Sequence, residues 1–184
     1  MRIIAGEARG RTIEAPAGNH TRPTLDRVRE NLFNMIQADV PGSRVLDLFA
    51  GSGALSLEAL SRGASFAVLA DNDRNASETQ KRNIALLRWQ NRTRQFRCDW
   101  RAALSELQKE NEVFDLVFLD PPYAMQDLRD VFLSLVPVTG PDTLVILEHE
   151  AGSRPQVPER FEAVRDRAWG FCSVTIYQLK EEGA

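Results

Sequence analysis

Four six-residue apolar runs, Arg44–Phe49 (RVLDLF), Ser65–Ala70 (SFAVLA), Phe114–Leu119 (FDLVFL) and Thr143–Glu148 (TLVILE), alternate with longer stretches of helical spacing. This alternation constrains the fold more than any other feature. Runs so short and so continuously apolar read as strands buried on both faces, which parallel strands covered by helices are. Between them, Gly53–Ser61 places Leu55, Ala59 and Leu60 on one side of a helix, and Asp73 caps a helix carrying Ala76, Ile84 and Leu87. Thr93–Cys98 reads as a weaker strand, and Arg101–Lys109 and Gln126–Val136 as helices. Repeated units of this kind build an α/β fold with a parallel sheet. Phe161–Asp166 and Phe171–Leu179, split by Trp169-Gly170, predict an antiparallel hairpin at one edge, giving a mostly parallel seven-stranded sheet.

Residues 1–40 read as an extension packed on a core domain of residues 41–184. Arg2–Ala5 and Arg11–Glu14, joined through Gly6 and Gly10, can pair as a small β-hairpin. Thr24 is then placed to cap a helix whose apolar face is Val28, Leu32, Met35 and Ile36.

At 184 residues there is room for one domain with a real core. Charged residues (27%) interrupt every apolar run long before it could span a bilayer, and the start MRIIAGEARGRTIEAP lacks the apolar stretch of a secretory signal. A cytoplasmic protein without a membrane partner is expected. Cys98 and Cys172 are far apart, and His20 and His149 are the only histidines, so neither a disulfide, a metal site nor histidine chemistry is expected. Net charge is −3, but residues 74–101 hold eight basic residues against two acidic ones. Such a patch is compatible with phosphate binding, although charged helix faces are the plainer reading.

In an open α/β sheet, ligands sit beyond the carboxyl ends of the strands, and four loops there carry unusual residues. The first, Asp47-Leu48-Phe49-Ala50-Gly51-Ser52-Gly53, lets the backbone approach a ligand at two glycines and ends on a helix N-terminus. Ser56 stands where a dinucleotide fingerprint has its third small residue. Asp47 would repel a pyrophosphate but suits the ammonium and sulfonium of S-adenosylmethionine. The second loop holds Asp71, twenty residues after Gly51 and followed by Asn72, where a carboxylate can accept both ribose hydroxyls. The third, Cys98-Asp99-Trp100, offers a carboxylate to an adenine amino group, or equally a helix cap. The fourth, Asp120-Pro121-Pro122-Tyr123, is the specific one. Its prolines fix a rigid turn, and Asp120, the Pro121 carbonyl and the Tyr123 ring supply two acceptors beside a stacking surface. An exocyclic amino group on a flat base needs that combination.

DLFAGSG followed by DPPY resembles the Rossmann-like, S-adenosylmethionine-dependent amino-methyltransferases. MRIIAGEARGRTIEAP, TRPT-x-DRVRENLFN (Thr21–Asn34), DLFAGSGALSLEALSRGA (Asp47–Ala64) and FLDPPY are similar to the RsmD family, over Met1 to about Tyr177. Asp71 stands where many relatives carry Glu, and Trp169-Gly170 where Tyr-Gly is common. The resemblance implies a class I methyltransferase fold and methylation of guanine N2 in 16S rRNA, of the position-966 type. It also implies S-adenosyl-L-methionine as cofactor and an assembled or assembling 30S subunit as partner. The chain is expected to act as a monomer. Asp120 and the Pro121 carbonyl would then hold the amino group, Pro122 would be scaffold and Tyr123 would stack on the base. The cofactor set would be Asp47, Phe49, Ala50, Gly51, Ser52, Gly53, Asp71, Asn72, Asp99 and Trp100. Arg2, Arg9, Arg11 and Arg22 are candidates for phosphate contacts near the cleft mouth. Two alternatives stay open: methylation of another amino group, on adenine or a protein glutamine, and a nicotinamide-dependent oxidoreductase or adenosine-binding module. Ser56, Asp47 and the DPPY loop count against the second.

Overall fold

The computed structural model describes residues 1–15 and 23–180. Its strands are β1 Arg44–Asp47, β2 Phe66–Ala70, β3 Thr93–Phe96, β4 Phe114–Leu119, β5 Thr139–Glu150, β6 Phe161–Trp169 and β7 Cys172–Leu179. They form one sheet in the order β3-β2-β1-β4-β5-β7-β6. The first five are parallel, and β7 runs antiparallel between β5 and β6. The architecture is the expected Rossmann-like α/β sheet with an antiparallel C-terminal hairpin. The chain winds outward one way from β1 and the other way from β4, so a crevice opens above the pair where the direction reverses.

Helices cover both faces. On one side lie α1 Pro23–Met35, α2 Ala54–Ser61 and α3 Arg74–Leu87, whose Leu32, Phe33, Leu57, Leu60 and Ile84 share a core with Val45, Phe118 and Ile146. On the other lie α4 Trp100–Lys109 and α5 Arg129–Leu135, where Leu104, Leu107 and Phe132 meet Leu46, Val117 and Val145. Each large side chain fully buried this way contributes roughly 1.5–3 kcal/mol against exposure.

Several boundaries differ from the sequence reading. Residues 126–128 are not helical: Leu128 N–H donates to the Gln156 carbonyl and Gln156 N–H to the Gln126 carbonyl, at 2.9 and 2.8 Å. The helix starts at Arg129 and gives way to a 3-10 turn containing Pro137, which lacks the N–H that another α-helical turn requires. α1 is assigned from Pro23, which puts Thr24 inside the helix and a proline at its first position. β6 continues to Trp169, and its alternating charges (Glu162, Arg165, Asp166, Arg167) keep an edge strand from pairing with other chains.

The first fifteen residues form an arm rather than a regular hairpin. Arg2 and Thr12 make a single antiparallel bridge. Ile3 N–H still donates across the arm to the Arg11 carbonyl at 3.0 Å, but those of Ile4 and Ala5 donate instead to the fully buried carboxylate of Glu58 in α2, at 2.8 and 3.0 Å. Arg62 donates to the same carboxylate at 2.7 Å, and Arg29 of α1 lies 3.9 Å from it. At Gly6 the arm touches the end of α2 so closely that a Cβ would sit 1.7 Å from the Ser61 carbonyl oxygen.

Candidate active site

The glycine turn after β1 is braced from several elements. Ala50 N–H donates to the Ala70 carbonyl at 3.1 Å, and Gly51 N–H to Asp71 Oδ2 at 2.8 Å. From α3, Gln80 donates to the Gly51 carbonyl and Asn83 to the Ser52 carbonyl, both at 3.0 Å. Gly51 has φ +51 and open space where a Cβ would stand, so its bare backbone faces outward. Beneath it Asp47 is buried; Ser56 Oγ donates to its Oδ2 at 2.9 Å, but Oδ1 has no partner. Burial pushes the Asp47 carboxyl up to about 7, with the Asp71 charge adding to the shift and Ser56 opposing it.

The second and third loops divide their labour differently. Asp71 ends beside the turn and uses both oxygens locally, Oδ2 on Gly51 N–H and Oδ1 on Asp73 N–H at 2.9 Å. It is therefore a brace as well as an available acceptor. Asn72 is exposed beside it. Asp73 caps α3 as expected, accepting from Ala76 N–H at 2.7 Å. Asp99 caps α4 through Ala102 N–H at 3.0 Å, and Trp100 is buried in the α4–α5 core with Arg101 over its ring. Phe49 packs partly against that same core.

The DPPY segment crosses the crevice from the glycine turn. Asp120 follows β4 directly, and no donor among the described residues reaches its carboxylate or the Pro121 carbonyl. Asp120 is reached by solvent, yet the surrounding protein displaces much of its hydration. That desolvation, then Glu148 and Asp47, raise its carboxyl well above the usual range. Pro121 is buried, Pro122 is exposed, and Tyr123 is 49% exposed. Met125 N–H donates to the Pro122 carbonyl at 2.8 Å and closes the turn. Partial burial, with Glu148 and Cys172 nearby, pushes the Tyr123 hydroxyl up to about 12, so it stays protonated.

The sequence profile of the family described as "Conserved hypothetical protein 95" matches residues 1–178. Ribosomal RNA small subunit methyltransferase D of Escherichia coli K12 is 36% identical, over all of this chain and 92% of its own length. The protein of that name from Haemophilus influenzae is 34% identical, over 97% and 93%. The chain belongs to the RsmD family. In structure, the yhhF protein of Escherichia coli superposes with a TM-score of 0.84 at 34% identity, covering 98% of each chain.

The RsmD-family chain is thus an S-adenosylmethionine-dependent methyltransferase, and its residues fit that cofactor. Asp47 Oδ1, without a partner among the described residues, offers a buried acceptor at the end of β1 that suits a positively charged ligand, and the space at Gly51 leaves its backbone open to one. Among the described residues no cluster could hold a metal ion, and no helix is long and apolar enough to cross a membrane.

Of the arginines expected at RNA phosphates, Arg2, Arg9 and Arg11 lie on the N-terminal arm. Arg9 is exposed in the arm's turn, next to Glu7 and Ala8, whose N–H groups donate to Ser61 at the C-terminal end of α2. Arg11 donates to the Leu86 carbonyl, at the C-terminal end of α3. Both follow from the Glu58 and Ser61 anchors, which tie the arm to the lower half of α2. Arg2 is exposed near the start of the arm, and Arg22 lies outside the described residues. Sequence reasoning also missed Gln80 and Asn83. Polar residues interrupting the buried stripe of Ala76, Ile84 and Leu87 were the signal. It missed Glu148 as well, which lies within β5, two residues before its end, in the register that follows Leu119 at the end of β4.

Proposed function

We propose that this methyltransferase transfers the methyl group of S-adenosyl-L-methionine to the exocyclic N2 amino group of a guanine in small-subunit rRNA, of the 16S position-966 type. The observation that carries the reading is the pair of unengaged acceptors, Asp120 and the Pro121 carbonyl, beside the exposed Tyr123 ring at the sheet's reversal point. The names of the RsmD relatives supply the RNA class.

The bound cofactor supplies a methyl carbon already activated by its sulfonium. The chain's residues do the rest by positioning and electrostatics. Asp47 balances the cofactor's positive charge, the Gly51–Gly53 backbone receives its methionine part, and Asp71 accepts from its ribose. Asp99 keeps one oxygen for the adenine amino group while the other caps α4. The guanine must leave its stack, and Tyr123 gives its ring a new surface. Asp120 and the Pro121 carbonyl each take one amino hydrogen. This draws the nitrogen lone pair out of ring conjugation and aims it at the methyl carbon. The positive charge that methylation would develop on N2 would lie beside the Asp120 carboxylate. That carboxylate can then accept the departing proton, a role its raised proton affinity suits.

RNA phosphates are best placed on Arg74, Arg97 and Arg101. All three are exposed at the catalytic end, where α3 and α4 start and β3 stops. We treat residues 1–40 as a brace on the 41–184 catalytic unit. The test is incubation with labelled S-adenosylmethionine and 30S particles lacking the modification, followed by nucleoside digestion. N2-methylguanosine as the labelled product supports the reading; N6-methyladenosine would replace it with the adenine alternative.

A further inference from the structure

Strand register places a second carboxylate next to Asp120. β4 and β5 pair in parallel through Val117 with Val145, Phe118 with Ile146 and Leu119 with Leu147. Asp120, which follows β4, and Glu148, still inside β5, are the next positions in this register and so share one face of the sheet at the roughly 5 Å spacing of neighbouring strands. Glu148 is half-buried, and neither an arginine nor a lysine pairs with it among the described residues. Cys172 stands near it on β7, where Glu150 pairs with Cys172, and its thiol donates to the Ser173 carbonyl at 3.8 Å. His149 points to the other face, with its ring nitrogens at 2.9 Å from the Glu150 carbonyl and from Thr175 Oγ1. A half-buried carboxylate without a cation is costly to keep ionised, and both members of the pair are raised in consequence. An incoming hydrogen-bond donor is what such a pair lacks.

The geometry points to Glu148 as a specificity-determining residue that accepts the guanine N1–H while Asp120 and the Pro121 carbonyl hold the N2 amino group. This deepens the guanine reading above and rests on it. Guanine presents two neighbouring donors on this edge, N1–H and N2–H, which match two carboxylates on adjacent strands. Adenine presents an amino group beside a bare N1 lone pair, which a carboxylate repels. Base choice would thus be made by the neighbour of the DPPY segment, since that segment alone grips any exocyclic amino group.

The test separates the amino group from the N1 hydrogen. 2-Aminopurine keeps the amino group at C2 but has a bare N1. It is introduced at the mapped target position of 16S RNA by ligation, and the RNA is reconstituted into 30S particles. Wild type should prefer guanine to 2-aminopurine by on the order of ten- to a hundred-fold in single-turnover rate, the worth of a charged hydrogen bond. Glu148→Gln puts an amide donor opposite the bare N1 and should bring the two rates to within about three-fold. S-Adenosylhomocysteine affinity should stay unchanged, since that site lies across the crevice. A Glu148→Gln protein that slows both bases equally would overturn the proposal and leave the guanine reading intact. So would a wild-type enzyme with no preference, a result that needs no variant to fold. A methylated nucleoside other than N2-methylguanosine would overturn both.

Discussion

Asp120 and Asp47 are carboxyls that hold protons more tightly than usual, but they serve opposite sides of the crevice. Asp120→Ala removes one of two acceptors for the amino group and should slow methyl transfer on the order of a hundred-fold or more. S-Adenosylhomocysteine binding should change far less, because no residue of the glycine turn bonds to Asp120. Asp71→Ala should act the other way, weakening S-adenosylhomocysteine binding by roughly 1–3 kcal/mol while the bound complex still turns over. Equal calorimetric affinity for that variant and wild type would remove Asp71 from the cofactor site. Asp47 makes a pH prediction. Its carboxyl is raised from 3.8 to about 7, so the folded cofactor-free protein binds a proton that the unfolded chain has released. Its contribution to stability therefore falls as pH rises from near 4 through about 7, and the penalty is complete above that. Asp47→Asn should stabilise the cofactor-free protein near pH 8, with a ceiling on the order of 4 kcal/mol. A ligand ammonium favours ionised Asp47, so S-adenosylhomocysteine binding near pH 6 should release a proton. Calorimetry in buffers of different ionisation heat reads this directly; identical heats would contradict it.

Among the elements, the parallel strands were legible because burial on both faces writes a continuous apolar run into the sequence. RVLDLF and FDLVFL contain β1 and β4, and the DLFAGSG and DPPY turns follow them where the strand-end rule places a ligand. What stayed hidden were contacts between segments remote in sequence. Glu58 looks like an ordinary surface residue of an amphipathic helix, yet its partners are backbone N–H groups 54 and 53 positions away. Nothing local to α2 or to the arm announces that pairing. It also explains why Arg2–Ala5 fails to form a full ladder, and why Arg11 bonds to the Leu86 carbonyl at the far end of α3. The start of α5 was misplaced for a similar reason, since Gln126 and Leu128 bond to Gln156 rather than to their own turn. The Glu58 anchor carries its own prediction. Glu58→Ala leaves two N–H groups without their acceptor and uncovers the buried Arg29 guanidinium, and should cost about 3–5 kcal/mol by denaturant unfolding. A loss under about 1 kcal/mol would show that the arm does not depend on this carboxylate.

On the scale of the whole molecule, the basic stretch of residues 74–101 is less exposed as charge than its composition suggests. Arg82 pairs with Glu14, Arg92 with Glu7 and Arg94 with Glu110, acids that lie outside that stretch. Among the described residues the cations of this stretch without an ion pair are Arg74, Arg88 and Arg97, with Arg101 4.0 Å from Asp99, and they are few for a protein of net charge −3. Such a surface should hold isolated RNA weakly and lose it steeply with salt, because phosphate contacts dominate such binding. Efficient methylation of 30S particles and poor methylation of protein-free 16S RNA is therefore expected at near-physiological salt, read as labelled methyl incorporation. Equal rates on both would show that the assembled particle adds nothing to recognition. The central claim, one guanine amino group in small-subunit rRNA, is tested most directly by mass spectrometry of mapped 16S nucleosides from cells lacking the gene. The account predicts that one N2-methylguanosine disappears in those cells, returns with the wild-type gene and stays absent with Asp120→Ala. An unchanged N2-methylguanosine profile together with loss of a methylated adenosine would contradict it.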